Sequence, residues 1–513
     1  MNAQDVTTAR ISPAAQRNPK RWLILVVLCL ATLVLVIDNM VLTVALPQIA
    51  IDLDAGPQAL QWVIDCYILV FAGLLLTTGS LSDRFGRRLV MVLGLALFGA
   101  ASLIAAYATS TGMLISGRVI MGIGGALVMP STLSILITVF DEAERPKAIG
   151  AWTGVSVLGM VGGPVLGGVL LDHFWWGSVF LVNVPIAALA IVAAFALMPE
   201  SKGPARPADL PGMALSIVGT VALVWTIIEF PIKGIAGTWV SIVIAVAFLL
   251  AFVIRELKAE YPMVPLELFR NRVFTGSSFS LVLVTFANAG LNLLLTQYLQ
   301  FVLGYSPIKT ALAFTPLAVA GLLFNGLGAW LVPKLGVRPL TLIGMVILAA
   351  GSASLAALTA DSGFWAAALA MALLGSGAGL AMPATIGALM GAIPPEQAGV
   401  GSALNDTIQQ TGGALGVAVL GAVLAGTYTE TMPSDAPAAA RDSIASAIAT
   451  GDGALVAVAR EAFSHAMSTT FIASGVAVLV ATVMAFFLMK GAKTAAPEGV
   501  SESAADRGLV DTR

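Results

Sequence analysis

The sequence predicts an all-α integral membrane protein with fourteen transmembrane helices, in which two six-helix bundles are separated by an inserted pair of helices. Three observations support this fold class: the composition, a series of long apolar runs and an internal repeat. Of the 513 residues, 58% are hydrophobic and only 11% are charged, whereas soluble domains are about 25% charged. Most of the chain is therefore expected to lie in a lipid bilayer.

Fourteen apolar runs are long enough to cross a bilayer, because a transmembrane helix needs ~20 apolar residues. The runs lie at roughly 22–46, 58–80, 88–108, 112–138, 147–170, 177–198, 211–230, 238–256, 274–303, 311–333, 339–359, 364–389, 399–426 and 466–489. Short joints rich in charged residues, proline and glycine separate them, as expected for turns between helices.

The basic residues predict the orientation of the spans. With the N-terminus in the cytoplasm, 21 of the 26 Lys and Arg residues fall in segments on the inner side and four in outer loops. Cytoplasmic loops carry an excess of Lys and Arg. We therefore expect both termini of the chain to lie in the cytoplasm.

The internal repeat predicts the division into bundles. The stretch "GGALVMPSTLSILITVF" is echoed by "GAGLAMPATIGALMGAI", which aligns Pro130 with Pro383. Parallel repeats of this kind are typical of transporters, with the substrate path between the two copies. The expected segments are a cytoplasmic N-terminus (1–21), a bundle (22–200), the inserted pair (201–258), a second bundle (259–490) and a disordered cytoplasmic tail (491–513).

One long outer loop, residues 427–465, interrupts the second bundle. Its sequence "ARDSIASAIATGDGALVAVAREAF" predicts two short alanine-rich helices that break at Gly451. We expect a helical hairpin over the outer mouth. A flexible linker is the alternative, because short alanine-rich helices are marginally stable alone.

Acidic residues within the spans are functional candidates, because such residues are rare in membranes. At 1.5 Å per residue, Asp38 lies about 25 Å from the cytoplasmic end of its span and Asp65 roughly 10 Å below the outer face. The two carboxylates are therefore expected at similar depth on adjacent helices. Acids held close together in a desolvated cavity can exchange a proton for a cation.

Two further acids have more than one interpretation. Asp406 is expected about 12 Å from the cytoplasmic side of the thirteenth span, where it serves the proton and cation path or hydrogen bonding between helices. Glu229 lies near the outer end of the inserted pair. It is either an interfacial residue, since charges at helix ends reach water easily, or part of a substrate pocket.

Arg118 is the one basic residue away from the ends of a predicted span, so it needs a partner. Asp38 and backbone carbonyls are the candidates, and a purely structural Asp38–Arg118 ion pair is the alternative to proton coupling. Trp62 and Tyr67 flank Asp65 in the sequence, where an aromatic face would stabilise a cation by ~0.5–2 kcal/mol. Otherwise, the two aromatic residues belong to the interfacial belt.

Two motifs suggest conformational change. The loop "GSLSDRFGRR" combines flexible glycines with a compact charge cluster that can form ion pairs or cap a helix end in one conformation only. Its gating candidates are Gly79, Asp83, Arg84, Gly86, Arg87 and Arg88. A topology anchor, the alternative, would need only the arginines.

The second motif is the fifth run, "GAWTGVSVLGMVGGPVLGGVL". Gly159, Gly163 and Gly167 recur every four residues and leave one helix face bare for close packing. Pro164 removes a backbone hydrogen bond and permits a bend. Gly150 and Gly168 complete the pattern, and generic small-residue packing is the alternative.

At these residues the sequence resembles a known family. "GSLSDRFGRR" resembles the cytoplasmic signature loop of the major facilitator superfamily, and the glycine pattern of the fifth run resembles its antiporter motif. "IDNMVLTVALP" resembles the first-helix motif of the fourteen-helix drug:proton antiporters. "QWVIDCYIL" is similar to the second helix of the quaternary-ammonium-compound multidrug exporters.

The resemblance implies a proton-coupled antiporter that exports lipophilic cationic compounds by alternating access. It implies a monomer in the bacterial cytoplasmic membrane, driven by the proton gradient without a cofactor. Asp38, Asp65, Asp406 and Arg118 would couple protons to cations, and Trp62, Tyr67, Asn325 and Glu229 would line the substrate pocket. The sequence departs from the family where Met121 replaces the usual glutamine of the fourth-helix motif. It also lacks an acid in the tenth run, where Asn325 is the nearest polar candidate.

Two other transporters fit the same fold: a dedicated self-resistance exporter of one natural product, and the inner-membrane component of a three-part pump. Other classes are disfavoured. The sequence has no basic tract for nucleic acid and no set of enzyme residues such as a nucleophile with its base. Its two cysteines and two histidines predict no metal centre.

Overall fold

A computed structural model describes residues 19–203, 209–260, 262–264, 266–359 and 362–489 of the chain. Within these ranges, fourteen helices are long and apolar enough to cross a membrane, and no strand is present. The predicted all-α membrane fold with fourteen spans is therefore confirmed. The expected disordered tail (491–513) and residues 1–18 of the expected N-terminal segment lie outside the described residues.

The first bundle contains six spanning helices. They are α1 (Arg21–Asp52), α2 (Pro57–Phe85), α3 (Arg87–Ala106), α4 (Thr111–Val139), α5 (Arg145–His173) and α6 (Ser178–Leu197). In this bundle α1 packs on α5 and α6, while α4 packs on α2 and α3. The long apolar runs explain these helices, because a spanning segment must satisfy its backbone hydrogen bonds internally.

The second bundle repeats the arrangement. Its helices are α9 (Arg272–Gln297, continued by a π turn over Tyr298–Val302), α10 (Thr315–Leu335), α11 (Val337–Ala356), α12 (Phe364–Gly391), α13 (Ala398–Thr431) and α14 (Gly453–Leu488). Pro130 lies inside α4 and Pro383 inside α12, the two repeated helices. The bundles meet where α2 and α4 contact α13 and where α5 contacts α10.

The inserted pair consists of α7 (Leu210–Phe230) and α8 (Lys233–Lys258). They fold back at Gly234, whose φ of 61° is readily adopted only by glycine. The hydroxyl of Thr226 donates a hydrogen bond to that of Ser241 over 2.7 Å, which ties the two helices together. The pair packs beside α2 and α13, the helices at the bundle interface.

The long loop is folded and its helices break at Gly451 as expected, but the second helix is not separate from the span that follows. After α13 come two short helices, Ala438–Asp442 and Ile444–Ala449, and the segment from Gly453 onward is the start of α14. The expected start of this span at 466 is wrong, because hydropathy marks the apolar part of a helix rather than its end. The hydroxyl of Tyr428 donates to the Ala440 carbonyl over 3.0 Å and anchors the loop.

Glycines set the close approach of α10 and α12. A Cβ atom on Gly375 would lie 2.2 Å from the Leu317 carbonyl oxygen, and one on Gly379 would lie 2.6 Å from the Gly321 carbonyl oxygen. Backbone oxygens cannot rotate away as side chains can. Small residues at these positions are therefore required for the observed distance between the two helices.

We predict that Gly375→Ala lowers the melting temperature of the purified protein, because overpacking typically costs about 1–3 kcal/mol. Gly391→Ala on the same helix is the matched control, since a Cβ there meets nothing within 4 Å. Differential scanning fluorimetry in detergent measures both variants. Equal melting temperatures for the two would contradict the packing argument.

Candidate functional site

A buried ion pair lies in the middle of the first bundle. Nη1 of Arg118 on α4 donates to Oδ2 of Asp38 on α1 over 2.5 Å, and neither side chain is exposed. Nε of Arg118 also donates to the Val63 carbonyl oxygen over 3.1 Å. Both partners expected for Arg118, the carboxylate and a backbone carbonyl, are therefore present.

Polar and aromatic groups complete the surroundings of this pair. The amide of Asn183 on α6 donates to Oδ1 of Asp38 over 2.7 Å. The guanidinium of Arg118 lies 4.3 Å from the centre of the Tyr67 ring. The charges of the acid and the base balance, and four helices contribute to one network. Protonation of Asp38 would therefore leave Arg118 without its counterion.

Asn183 was not predicted from the sequence. The segment "FLVNVPIAALAIV" gave one signal, an isolated amide at the start of an apolar run. Asp38 was identified because a buried charge is costly. Asn183 is uncharged, and a buried amide needs only a hydrogen-bonding partner, so the same reasoning did not identify it.

Asp65 does not join Asp38, contrary to the expected carboxylate pair. It lines a separate cavity of about 190 Å³ between α2 and α7, together with Trp62, Trp225 and Glu229. Three predicted residues thus converge there. Tyr67 does not, because it lies two positions along the helix from Asp65 and so faces a different side, toward Arg118.

Asp406 on α13 is 3% exposed. The Asn405 amide donates to its Oδ1 over 2.9 Å, while Oδ2 has no hydrogen-bond partner among the described residues. No ion pair to Asp406 is formed within that part of the chain. Because an isolated carboxylate charge is costly to bury, this is a position where a proton or a cation can bind.

A central cavity of about 380 Å³ lies between the bundles. Its polar lining consists of hydroxyl and amide side chains, with methionines, glycines and Trp152 around them, and no charged residue contributes among the described residues. The polar residues are Thr153, Ser156, Thr285, Asn288, Asn325, Gln409 and Gln410. The predicted pocket residue Asn325 therefore lines the cavity, and its side chain hydrogen-bonds across the interface to the Thr153 hydroxyl.

The signature loop joins the two bundles at one end of the molecule. The Asp83 carboxylate accepts hydrogen bonds from the amides of Gly399 and Val400 over 2.9 and 3.0 Å. It also pairs with Arg87 over 2.7 Å, and Arg87 donates to the Pro395 carbonyl oxygen over 2.9 Å. We call these contacts of Asp83 and Arg87 with the backbone the interbundle latch.

The latch is favourable because amides at a helix N-terminus attract negative charge. Gly79 permits it, since a Cβ there would lie 2.4 Å from the Ala403 Cβ atom. Gly86 has a φ of 121°, a conformation that other residues rarely adopt. Arg84 is exposed and takes no part, while the Arg88 amide donates to Glu200 over 3.1 Å. Glu200, in a predicted joint, was not anticipated.

The glycine pattern of α5 packs within the first bundle. Added Cβ atoms on Gly159 and Gly163 would lie 2.8 and 2.5 Å from Val36 and Met40 of α1. Gly167 similarly faces Val41, whereas nothing lies within 4 Å of such an atom on Gly168. The close packing expected of this bare face is confirmed, and its partner is α1. The helix runs continuously through Pro164.

Gly150 is the glycine of this pattern that meets the second bundle. A Cβ there would lie 2.8 Å from the Ala329 Cβ atom on α10. Of this glycine pattern, the Gly150 end of α5 therefore lies at the contact between the bundles.

Comparison with known proteins agrees with this architecture. The model of the Major Facilitator Superfamily matches residues 28–417. The chain belongs to the major facilitator superfamily. It is 32% identical over 492 residues to the methyl viologen resistance protein SmvA of Salmonella typhimurium, covering 92% of this chain and 99% of that relative.

A second relative within the superfamily is the multidrug efflux pump LfrA of Mycolicibacterium smegmatis, 32% identical over 495 residues, with 92% of this chain and 97% of that protein covered. The solved structure of the human organic anion transporter MFSD10 (TETRAN) superposes with a TM-score of 0.61 at 15% identity, covering 90% of this chain and all of that one. The relatives identify the drug-exporter family, and the structural likeness supports the fold.

We predict that Asp83→Asn separates the bundles at the end that the latch holds together. A neutral amide oxygen is a weaker acceptor than a carboxylate, whose hydrogen bonds contribute about 1.5–3 kcal/mol each. Spin labels on Arg84→Cys and Glu396→Cys, with Cys29 and Cys66 replaced by serine, report the separation of the two sides. Their distance distribution in nanodiscs should shift to longer values in the Asp83→Asn protein.

Glu142→Gln is the control for this measurement, because Glu142 is an exposed acid outside the latch. An unchanged distribution in Asp83→Asn, or the same shift in both variants, would show that the latch does not hold the bundles together.

Proposed function

We propose that the protein exports lipophilic cations from a bacterial cell in exchange for protons, by alternating access. The observation that carries the proposal is the presence of three acids in spanning helices, each in different surroundings. Asp38 is paired with Arg118, Asp406 is buried without a cationic partner among the described residues, and Asp65 faces an aromatic cavity. Intramembrane acids of this kind mark ion pathways.

Asp38 is the proposed site of proton coupling in the first bundle. Its pairing with Arg118 is neutral as a unit, so a proton that binds Asp38 leaves an uncompensated cation in a low-dielectric interior. Such a charge is strongly destabilising. Arg118 would then move toward other acceptors, and the contacts that join α1 to α4 would change with it.

Asp406 is the proposed second coupling site, beside the cargo. Gln409 and Gln410 line the central cavity one helical turn from Asp406, a distance of about 5 Å along α13. A cation in the cavity would favour the ionised form of Asp406 and expel its proton. A proton that returned to Asp406 would in turn favour release of the cation.

The latch supplies the two-state element that alternating access requires. Asp83 and Arg87 hold the bundles together at one end, and the distribution of Lys and Arg predicts that this end is cytoplasmic. Binding of protons and cargo would change the relative stability of the latched and unlatched arrangements. The transmembrane proton gradient would supply the energy, and a monomer contains all the proposed parts.

A second candidate is a dedicated exporter of one uncharged natural product. The observation in its favour is the central cavity, whose described lining carries hydroxyl and amide groups but no charged side chain. Such a lining binds a neutral polar compound without the desolvation cost of an unpaired charge. In this alternative, the acids would serve proton coupling alone.

We predict that ethidium or a quaternary ammonium collapses the proton gradient of energised inside-out vesicles that contain the native protein. Asp38→Asn and Asp406→Asn should reduce this response to the level of empty vesicles, because neither amide can exchange a proton. A pH-sensitive dye measures the gradient after each addition.

Asp435→Asn is the control, because Asp435 is an exposed acid in the loop. An uncharged antibiotic added to the same vesicles distinguishes the two candidates. A response to the neutral compound alone would overturn cation export and favour the dedicated exporter. A full response from either acid variant would exclude that acid from coupling.

A further inference from the structure

We infer that the cavity between α2 and α7 binds the head group of a quaternary ammonium or N-alkylpyridinium cation that enters from the lipid. We call it the lateral site and define it by Trp62, Asp65, Trp225, Glu229 and Lys233. The inference rests on the proposed export of cations, since it names a binding position for such cargo. It gives the inserted helix pair a part in transport beyond joining the bundles.

Aromatic rings form the walls of the lateral site. The ring centres of Trp62 and Trp225 lie 5.0 Å apart with their planes inclined at 44°. One ring comes from the first bundle and the other from the inserted pair. Tryptophan is the best aromatic partner for an organic cation, and aromatic side chains grouped at one site recognise quaternary ammonium groups.

The charges of the lateral site favour one positive ligand charge. Lys233 Nζ contacts Glu229 Oε2 at 2.9 Å, while Asp65 has Gln61 as a hydrogen-bonding neighbour. Two carboxylates and one ammonium leave a net charge of −1 when all are ionised. The Lys233 side chain is 51% exposed and that of Glu229 only 14%. Lys233 is therefore the group that can withdraw into solvent when another cation arrives.

The volume of the cavity suits the head group of a ligand rather than a whole drug molecule. Its volume is about 190 Å³, below the ~300 Å³ at which ordinary drug pockets begin. The remainder of a lipophilic cation must therefore lie outside. The inserted helices offer a surface for it, because most of their apolar residues are exposed. Only 28% of an apolar 18-residue stretch of α7 and 17% of such a stretch of α8 are buried inside the protein. A hydrocarbon chain can rest there in the bilayer.

The position of the lateral site fits capture from the membrane. Gln61 and Asp65 lie near the start of α2, whereas the latch residue Asp83 lies near its end. Lys233 adjoins the fold-back at Gly234. The site is therefore at the end of the molecule opposite the latch.

Tryptophan fluorescence tests the lateral site directly, because a pyridinium ring quenches indole emission on contact. N-octylpyridinium is titrated into the full-length protein in nanodiscs, and the saturable part of the quenching is measured. The variant Trp62→Phe/Trp225→Phe should lose that saturable part. Trp239→Phe is the control, since Trp239 is an exposed tryptophan of α8 outside the cavity.

Two charge variants test the electrostatic argument, because they are expected to change the affinity for the cation in opposite directions. Glu229→Gln should weaken binding of N-octylpyridinium about tenfold, whereas Lys233→Met should strengthen it severalfold by removing the competing ammonium. Glu267→Gln, an exposed acid outside the cavity, should leave the dissociation constant unchanged. Tighter binding in Lys233→Met is a result that a merely structural role of the ion pair would not give.

The inference is overturned if saturable quenching persists in the double tryptophan variant, or if Lys233→Met weakens binding. The same compound in the vesicle assay separates this failure from that of the proposed function. Proton exchange without saturable quenching would exclude the lateral site and leave cation export intact. Saturable quenching without proton exchange would support the lateral site and overturn cation export.

Discussion

The ion pair between Asp38 and Arg118 is the interaction on which the first bundle depends. Each charge is fully buried, and removal of one partner would leave the other uncompensated, a change that typically costs about 3–5 kcal/mol. The pair also sets the positions of its neighbours. Asn183 on α6 contacts Asp38, and Tyr67 on α2 contacts Arg118. The balance of charge in this pair therefore affects contacts of α1, α2, α4 and α6. A proton is the smallest ligand able to change that balance, which makes the same pair both structural and suited to coupling.

The other charged groups are separated from this pair. Asp406 lies in the second bundle beside the central cavity, whose lining is uncharged in the part of the chain that the structure describes. The latch joins the bundles through Asp83 at one end. Separation has a physical advantage, because charges in one low-dielectric cavity would interact strongly and titrate together. Acids in different surroundings can respond to different events: proton binding, cargo binding and closure of one end. The proposed cycle needs such independent responses, linked through the relative positions of the helices.

Hydropathy and the repeat predicted the fourteen spans, because a spanning helix requires about 20 consecutive apolar residues, which can be read directly from the sequence. Arg118 and Asp38 were anticipated as partners for a similar reason, since a buried charge demands a counterion. The residues that were misassigned or missed have other causes. Tyr67 was grouped with Asp65 by sequence proximity, although neighbours two apart face different sides of a helix. Asn183 and the contacts of Asp83 with backbone amides depend on which helices meet, and hydropathy carries no information about that.

The packing of α5 connects the ion pair to the bundle interface. Gly159 and Gly163 let α1 approach so closely that an added Cβ atom would overlap it. Tightly interdigitated helices move together rather than deform, because packed interiors transmit displacement. The other end of the same helix carries Gly150, which contacts Ala329 of the second bundle. Any displacement of α1 that follows protonation of Asp38 is therefore expected to reach the interface through α5. The glycine-rich helix would act as a rigid connection within one bundle, and the sliding surface would lie at the contact between α5 and α10.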